Sequence, residues 1–327
     1  MKLGARVAVG ALVVCTAFTS CGLLLRHRHA AAKERAASAA AHEAKLAEAI
    51  GLVCPQVEDT QQDGRLQDDD IDELSGLVAS RRHPGMYWVH NDSGDNARIF
   101  AIDVQGRLLA EVELPNADAT DIEDIALAQG QAGAPDLLYL ADTGDNFQRR
   151  KKVQLYRVEE PTIPRGGPKL DLVRTAEVLD VVYEDDAHDA ETLLIDPRTA
   201  DLFLVTKANL LSREQWVGVY RIAHEDLTAK QPLIARKVAS IPLGHATAGD
   251  VAPDGSAILV RNYRGVMYWP RAEGDTIAQA LGKPGCRLPV ADGNRQGEAI
   301  GFTSDMRAYV TITEGGGSSI LRYPFSR

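Results

Sequence analysis

Acidic residues recur through this sequence at spacings that could gather them in one place. Glu73, Glu123, Glu191 and Glu298 open the short runs "ELSGLVAS", "EDIALAQG", "ETLLIDPR" and "EAIGFTSD", and Thr247 opens "TAGDVAPD". A second set follows 16 or 19 residues later: Asp92, Asp142, Lys207, Tyr263 and Glu314, with Thr206, Asn262 and Thr313 beside them. If these runs are equivalent strands, four glutamates face one space, where they repel unless protonated, paired or bound to a cation. Oxygen donors from Asp, Glu, Asn and Thr suit a hard cation such as Ca²⁺ far better than zinc. Lys207 and Arg261 are placed to neutralise part of the charge. The candidate ligand-binding set is Glu73, Asp92, Glu123, Asp142, Glu191, Lys207, Arg261, Glu298 and Glu314, with Glu73, Glu123, Glu191 and Glu298 as candidate metal ligands. A structural use competes with this reading: carboxylates at strand starts can accept backbone N–H bonds and join neighbouring sheets.

The hexapeptides "NDSGDN" (91–96) and "ADTGDN" (141–146) raise the same choice. They lack the alternating acidic positions of an EF-hand. Asp and Asn accept backbone N–H groups in tight turns, and a glycine supplies unusual backbone angles, so turn chemistry explains both copies. Asp92 and Asp142 each fall 19 residues after a glutamate, which could bring Glu–Asp pairs together. His90, His188 and His245 lie near the same motifs and rank second, since a lone histidine is more often a hydrogen-bonded structural residue. There is no GxSxG, HExxH, P-loop or CxxC, which removes the easily recognised serine hydrolases, zincins, NTPases and thiol redox enzymes.

The elements that must position these residues form a repeat. After each acidic run comes a strand-like run ("MYWVHND", "LLYLAD", "LFLVTK", "AILVRN", "AYVTIT") and then another ("RIFAID", "QLYRVE", "GVYRIA", "VMYWPR", "ILRYPF"). A fourth run follows in most units: "RLLAEVEL", "RTAEVLDVV", "LIARKVASI" and the shorter "CRLPV". The unit starts are 50, 68, 56 and 51 residues apart. Four β-branched and aromatic strands in about fifty residues is the pattern of a propeller blade. The expected fold is all-β, a propeller of five four-stranded blades, with six blades as the alternative if the long second unit hides another. The last unit ends at "YPFSR" without a fourth strand, so an N-terminal strand around "GLVCPQV" (51–57) is expected to close the ring. That places Cys54 beside Cys286 and predicts a disulfide across the closure.

The ends set the compartment. Lys2 and Arg6 precede an uncharged stretch from Val7 to Leu25, which reads as an export signal, and "FTSC" ending at Cys21 is an imperfect lipobox. An uncleaved membrane anchor is the alternative, because the stretch has 19 residues. The organisation expected is a signal or anchor over 1–21 with lipidation at Cys21, an alanine-rich helical tether over 22–50, and the propeller over 51–327. Residues 51–327 hold 29 basic and 43 acidic residues, a formal charge of −14. So acidic a domain is a poor partner for nucleic acid.

The motifs "ELSGLVASRRHPGMYWVHNDSGDNARIFAID", "DIEDIAL", "YLADTGDN", "DAETLLID", "LFLVTK" and "QGEAI" resemble a group of secreted or lipid-anchored bacterial β-propeller proteins of uncharacterised function. The resemblance runs over roughly residues 70–327 and implies a propeller and an exported location; it lends no catalytic residue. Thr247 departs from the glutamate pattern. The functional expectation is a membrane-tethered, monomeric module on the periplasmic or cell-surface side, binding a small polar ligand or a protein, with Ca²⁺ at the channel mouth. The alternative is a metal-dependent hydrolase of phosphoesters or glycosides using the channel carboxylates.

Overall fold

The computed structural model describes residues 52–130, 133–208, 216–228, 231–291 and 297–326. The signal, lipidation at Cys21 and the tether expected over 1–50 lie outside the described residues. No helix among the described residues is long and apolar enough to cross a membrane.

The chain is all-β. In order, its strands are β1 (Gln61–Arg65), β2 (Leu74–Ala79), β3 (Met86–Asn91), β4 (Arg98–Asp103), β5 (Leu108–Glu113), β6 (Ile122–Ala128) and β7 (Leu137–Asp142). They continue as β8 (Val153–Glu159), β9 (Leu170–Val173), β10 (Glu177–Tyr183), β11 (Ala190–Ile195), β12 (Leu202–Thr206), β13 (Val217–Ile222) and β14 (Leu233–Ile241). The last are β15 (Ala246–Val251), β16 (Ala257–Asn262), β17 (Gly265–Pro270), β18 (Cys286–Leu288), β19 (Ala299–Phe302), β20 (Ala308–Ile312) and β21 (Ser319–Pro324), with a short helix α1 (Ile277–Leu281) before β18. Each sequence repeat forms an antiparallel run of four strands: β2-β3-β4-β5, β6-β7-β8-β10, β11-β12-β13-β14, β15-β16-β17-β18 and β19-β20-β21-β1. The second and third runs join into one eight-stranded sheet through the parallel pair β10–β14. The first strands pack side by side in the order β2, β6, β11, β15, β19, and β19 lies against β2 again. This is the β-propeller arrangement expected from the repeats.

Burial follows from that placement. Every residue of β2, β6 and β11 is buried, because a first strand is covered on both faces. The outer strands β5, β10 and β14 instead mix buried and open positions. Polar groups join the sheets at the centre. Asp124 on β6 accepts N–H bonds from Leu193 on β11 (2.8 Å) and Gly249 on β15 (3.4 Å), and Asp250 on β15 accepts one from Phe302 on β19 (2.8 Å). The structural use of carboxylates is thus carried by Asp124 and Asp250, the former next in sequence to a candidate glutamate. Further out, Asp196 and Arg271 form a bidentate pair (2.7 Å for both bonds) with both side chains 2% exposed.

Two details differ from the sequence reading. The strand pairing with β21 is Gln61–Arg65, not a strand at 51–57; only Val57 makes a bridge there, to Phe325. "QQDGR" is polar and is held by backbone pairing at a sheet edge, so no hydrophobic alternation marks it. The long connection between β8 and β10 contains only the four-residue β9, which adds in parallel to β5 and extends the first sheet. The expected disulfide is present: Cys54 and Cys286 are bonded at a sequence separation of 232.

Candidate functional site

The site begins where each second strand returns to the start of its first strand. The ladder shifts register there in four repeats, between Leu74 and Gly76, Ile122 and Asp124, Ala190 and Thr192, and Ala246 and Ala248. The skipped residues are Ser75, Glu123, Glu191 and Thr247. A bulge re-aims its extra residue, and in the second and third repeats that residue is a glutamate. In the first repeat it is Ser75, whose hydroxyl donates to the Glu123 carbonyl (2.9 Å), while Glu73 lies two residues earlier and is exposed.

The same ladder decides between Asp92 and Asp142. The N–H of Asp92 bonds the Glu73 carbonyl, that of Lys207 bonds the Asp189 carbonyl, and that of Gly144 bonds the Asp121 carbonyl (2.8, 2.8 and 3.2 Å). Asp142 pairs with Ile122 as Asn91 pairs with Leu74 and Thr206 with Ala190, so despite the shared hexapeptide it does not stand where Asp92 and Lys207 stand. Thr143 follows it in that place, and Gly144 takes over the hydrogen bond to the equivalent carbonyl. Asp142 is turned to other work. Its carboxylate takes N–H bonds from Thr120 and Asp121 (3.1 Å each), the Tyr156 hydroxyl (2.8 Å) and Arg150 (2.8 Å). From the described residues, Asp92 accepts only the Ser93 N–H, at Oδ1 (2.6 Å).

Gly144 leaves a space that carboxylates fill. A Cβ there would lie 2.2 Å from Glu123 Oε1 and 2.3 Å from Asp121 Oδ2. Around this space seven carboxylates form three overlapping groups, each with ligand atoms within 4.8 Å of one another: Asp92, Asp121 and Glu123; Asp92, Glu298 and Glu314; Glu123, Asp189 and Glu191. Of the sequence candidates, Asp92, Glu123, Glu191, Lys207, Glu298 and Glu314 are brought together; Glu73, Asp142 and Arg261 are not among these groups. Arg261 is 1% exposed on β16 and reaches the Ala299 carbonyl. Asp121 and Asp189 were missed, although the repeated Asp-x-Glu of "DIE" and "DAE" marks both.

The electrostatics are unbalanced. Lys207 binds Glu191, lies 5.6 Å from the centre of the Tyr263 ring, and is the basic side chain in direct contact with these groups among the described residues. Burial works against its charge, but the carboxylates around it, Glu191 first, hold it protonated. Burial and neighbouring carboxylates push Asp92, Glu123 and Asp189 upward, and push Asp121 up to about 6. Burial, with a hydrogen bond to Glu314, raises Glu298 to about 7, and the Tyr263 hydroxyl donates to the same carboxylate (3.1 Å). Glu123 is 4% exposed and its carboxylate receives no hydrogen bond from any described residue. In such a cluster, burial and like charge favour the protonated form of some members.

The histidines stand apart. His90 is fully buried, bonds the Asn91 carbonyl (2.7 Å) and is pushed down to about 4 by burial, so it is a neutral packing residue over Gly76. His188 is tied to Asp185 (2.8 Å) and Tyr220 (2.6 Å). His245 adopts a left-handed backbone (φ 52°) with its ring 6.3 Å from Tyr263.

No family model and no curated protein matches the chain. Among solved structures it is similar to U3-55K, with 11% identity over 83% of this chain and 100% of that one, and a TM-score of 0.42. It is also similar to the RRP9 WD40 repeats, with 10% identity over 82% and 100% of the two chains and a TM-score of 0.40.

Proposed function

We propose that this chain is an exported, membrane-tethered, five-bladed β-propeller. Its channel mouth binds a hard divalent cation, Ca²⁺ first, and presents it to a small polar ligand or a partner protein. The observation that carries the cation is the convergence of seven carboxylates with one contacting ammonium group. The donor set is oxygen only, which suits Ca²⁺ or Mg²⁺ and disfavours zinc. The blade count is supported by the succession of first strands and by β1, which supplies the fourth strand of the last sheet. Export is supported by the disulfide, since such bonds persist in oxidising compartments. The resemblance to secreted propellers points the same way.

A second reading, hydrolysis of a phosphoester or glycoside at the cation, is favoured by one feature. Glu123 and Glu191 converge with Asp189 in buried positions, and Glu123 receives no hydrogen bond from any described residue. A bound cation with open positions could polarise an ester there.

The cation is tested by calorimetry and thermal melting of the full chain with Ca²⁺, beside Gly144→Ala. The Gly144 backbone accepts alanine, but the new methyl would enter the space held by Asp121 and Glu123. Millimolar Ca²⁺ should release heat and raise the melting temperature of the wild type, and the variant should melt normally without Ca²⁺ yet respond at least ~10-fold more weakly, since weakened differential binding shrinks the shift. No heat and no shift in the wild type removes the proposal.

A further inference from the structure

The three carboxylate groups are not equivalent, and their overlap sets how many cations the mouth holds. Lys207 sits on Glu191, so the group of Glu123, Asp189 and Glu191 already contains a cation, the ammonium. The other two groups share one member, Asp92, and Lys207 reaches them only through space, acting on Asp92, Glu123 and Glu298 without an ion pair to any of the three. Oxygen ligands of Ca²⁺ lie about 2.3–2.6 Å from the ion, so donors on opposite sides are about 5 Å apart. The donor atoms of each group lie within 4.8 Å of one another, close enough to share one ion.

Asp92 is suited to join two ions. It accepts one N–H bond at Oδ1 and none at Oδ2 from described residues. Glu123, 4% exposed, receives no hydrogen bond from any described residue, and its Oε1 is aimed at the space beside Gly144 and Asp121, which points to a ligand on the first position. Resting on the cation-binding reading above, we propose a dinuclear cation site bridged by Asp92, with Asp121 and Glu123 completing one position and Glu298 and Glu314 the other. Lys207 serves as a built-in third charge. Carboxylate-bridged pairs of this kind lie about 3.5–4 Å apart, a spacing that lets one oxyanion of a ligand span both ions.

Mn²⁺ accepts the same oxygen donors and reports its neighbours by electron paramagnetic resonance. The full chain should bind two Mn²⁺ and give an exchange-coupled spectrum, and Ca²⁺ should displace both. Asp121→Asn and Glu314→Gln should each leave one ion with an uncoupled spectrum, whereas Asp92→Asn should weaken both. Circular dichroism checks that each variant is folded, and Glu314, at the half-exposed edge, is the substitution least able to disturb the fold. One ion per chain, or two that are uncoupled, overturns the bridged pair and leaves cation binding standing. No ion at all overturns both.

Discussion

Glu298 makes the stability of the cation-free domain depend on pH in an unusual direction. Its ordinary value is 4.5, and in the folded chain it is raised to about 7 by burial and by Glu314. Between those values the folded chain keeps a proton that the unfolded chain has released, so stability falls as pH rises through the window. Carrying the carboxyl from 4.5 to about 7 corresponds to about 3 kcal/mol, each tenfold change in proton affinity being about 1.36 kcal/mol. For a domain of this size that is roughly 6–12 °C in melting temperature. The assay is thermal melting in EDTA at intervals between about pH 4.5 and 8, for the wild type and Glu298→Gln. The wild type should lose stability across the range, and Glu298→Gln, which cannot titrate, should lose that much less. Ca²⁺ at about 100 times its dissociation constant should return about 2.7 kcal/mol at the alkaline end. A wild-type profile that stays flat in EDTA, or a variant with the same slope, refutes the protonated cluster.

Two further outcomes concern the frame. Replacing Cys54 and Cys286 by serine opens a loop of 232 residues and should cost about 2–5 kcal/mol, read as a lower denaturant midpoint that matches the wild type measured in reductant. Arg271→Met strands Asp196 in a site 2% exposed and should cost about 3–5 kcal/mol, while Arg271→Met with Asp196→Leu should recover most of it; equal losses in the two proteins would mean that packing, not charge, is at stake.

The repeat was legible because first strands covered on both faces are largely apolar, as β19 is, and outer strands alternate, as β10 does at Leu179 and Val181. Cys54 and Cys286 could be paired from the same repeat. β1 could not be read, because "QQDGR" contributes backbone rather than apolar surface. The glutamates were found by residue type, but their aim depends on the register shifts beside Glu123 and Glu191, which no residue type announces. Hence the matching hexapeptides misled: Asp142 turns to Arg150 and Tyr156 while Asp92 faces the cluster. Asp121 and Asp189 were written in the sequence as Asp-x-Glu, a signal eclipsed by the glutamates themselves.

The order of Cys54 and β1 along the chain has a mechanical meaning. The disulfide comes before the strand that pairs with β21, so the chain meets a covalent stop at Cys54 before it reaches Gln61. A pull on the segment preceding residue 54 is carried through Cys286 into β18, and the hydrogen bonds between β1 and β21 are spared the load. Tension on that segment would therefore strain a sulfur bridge rather than peel the first strand from the last. In reductant the same pull would reach β1 directly, and the sheet would unzip from its edge.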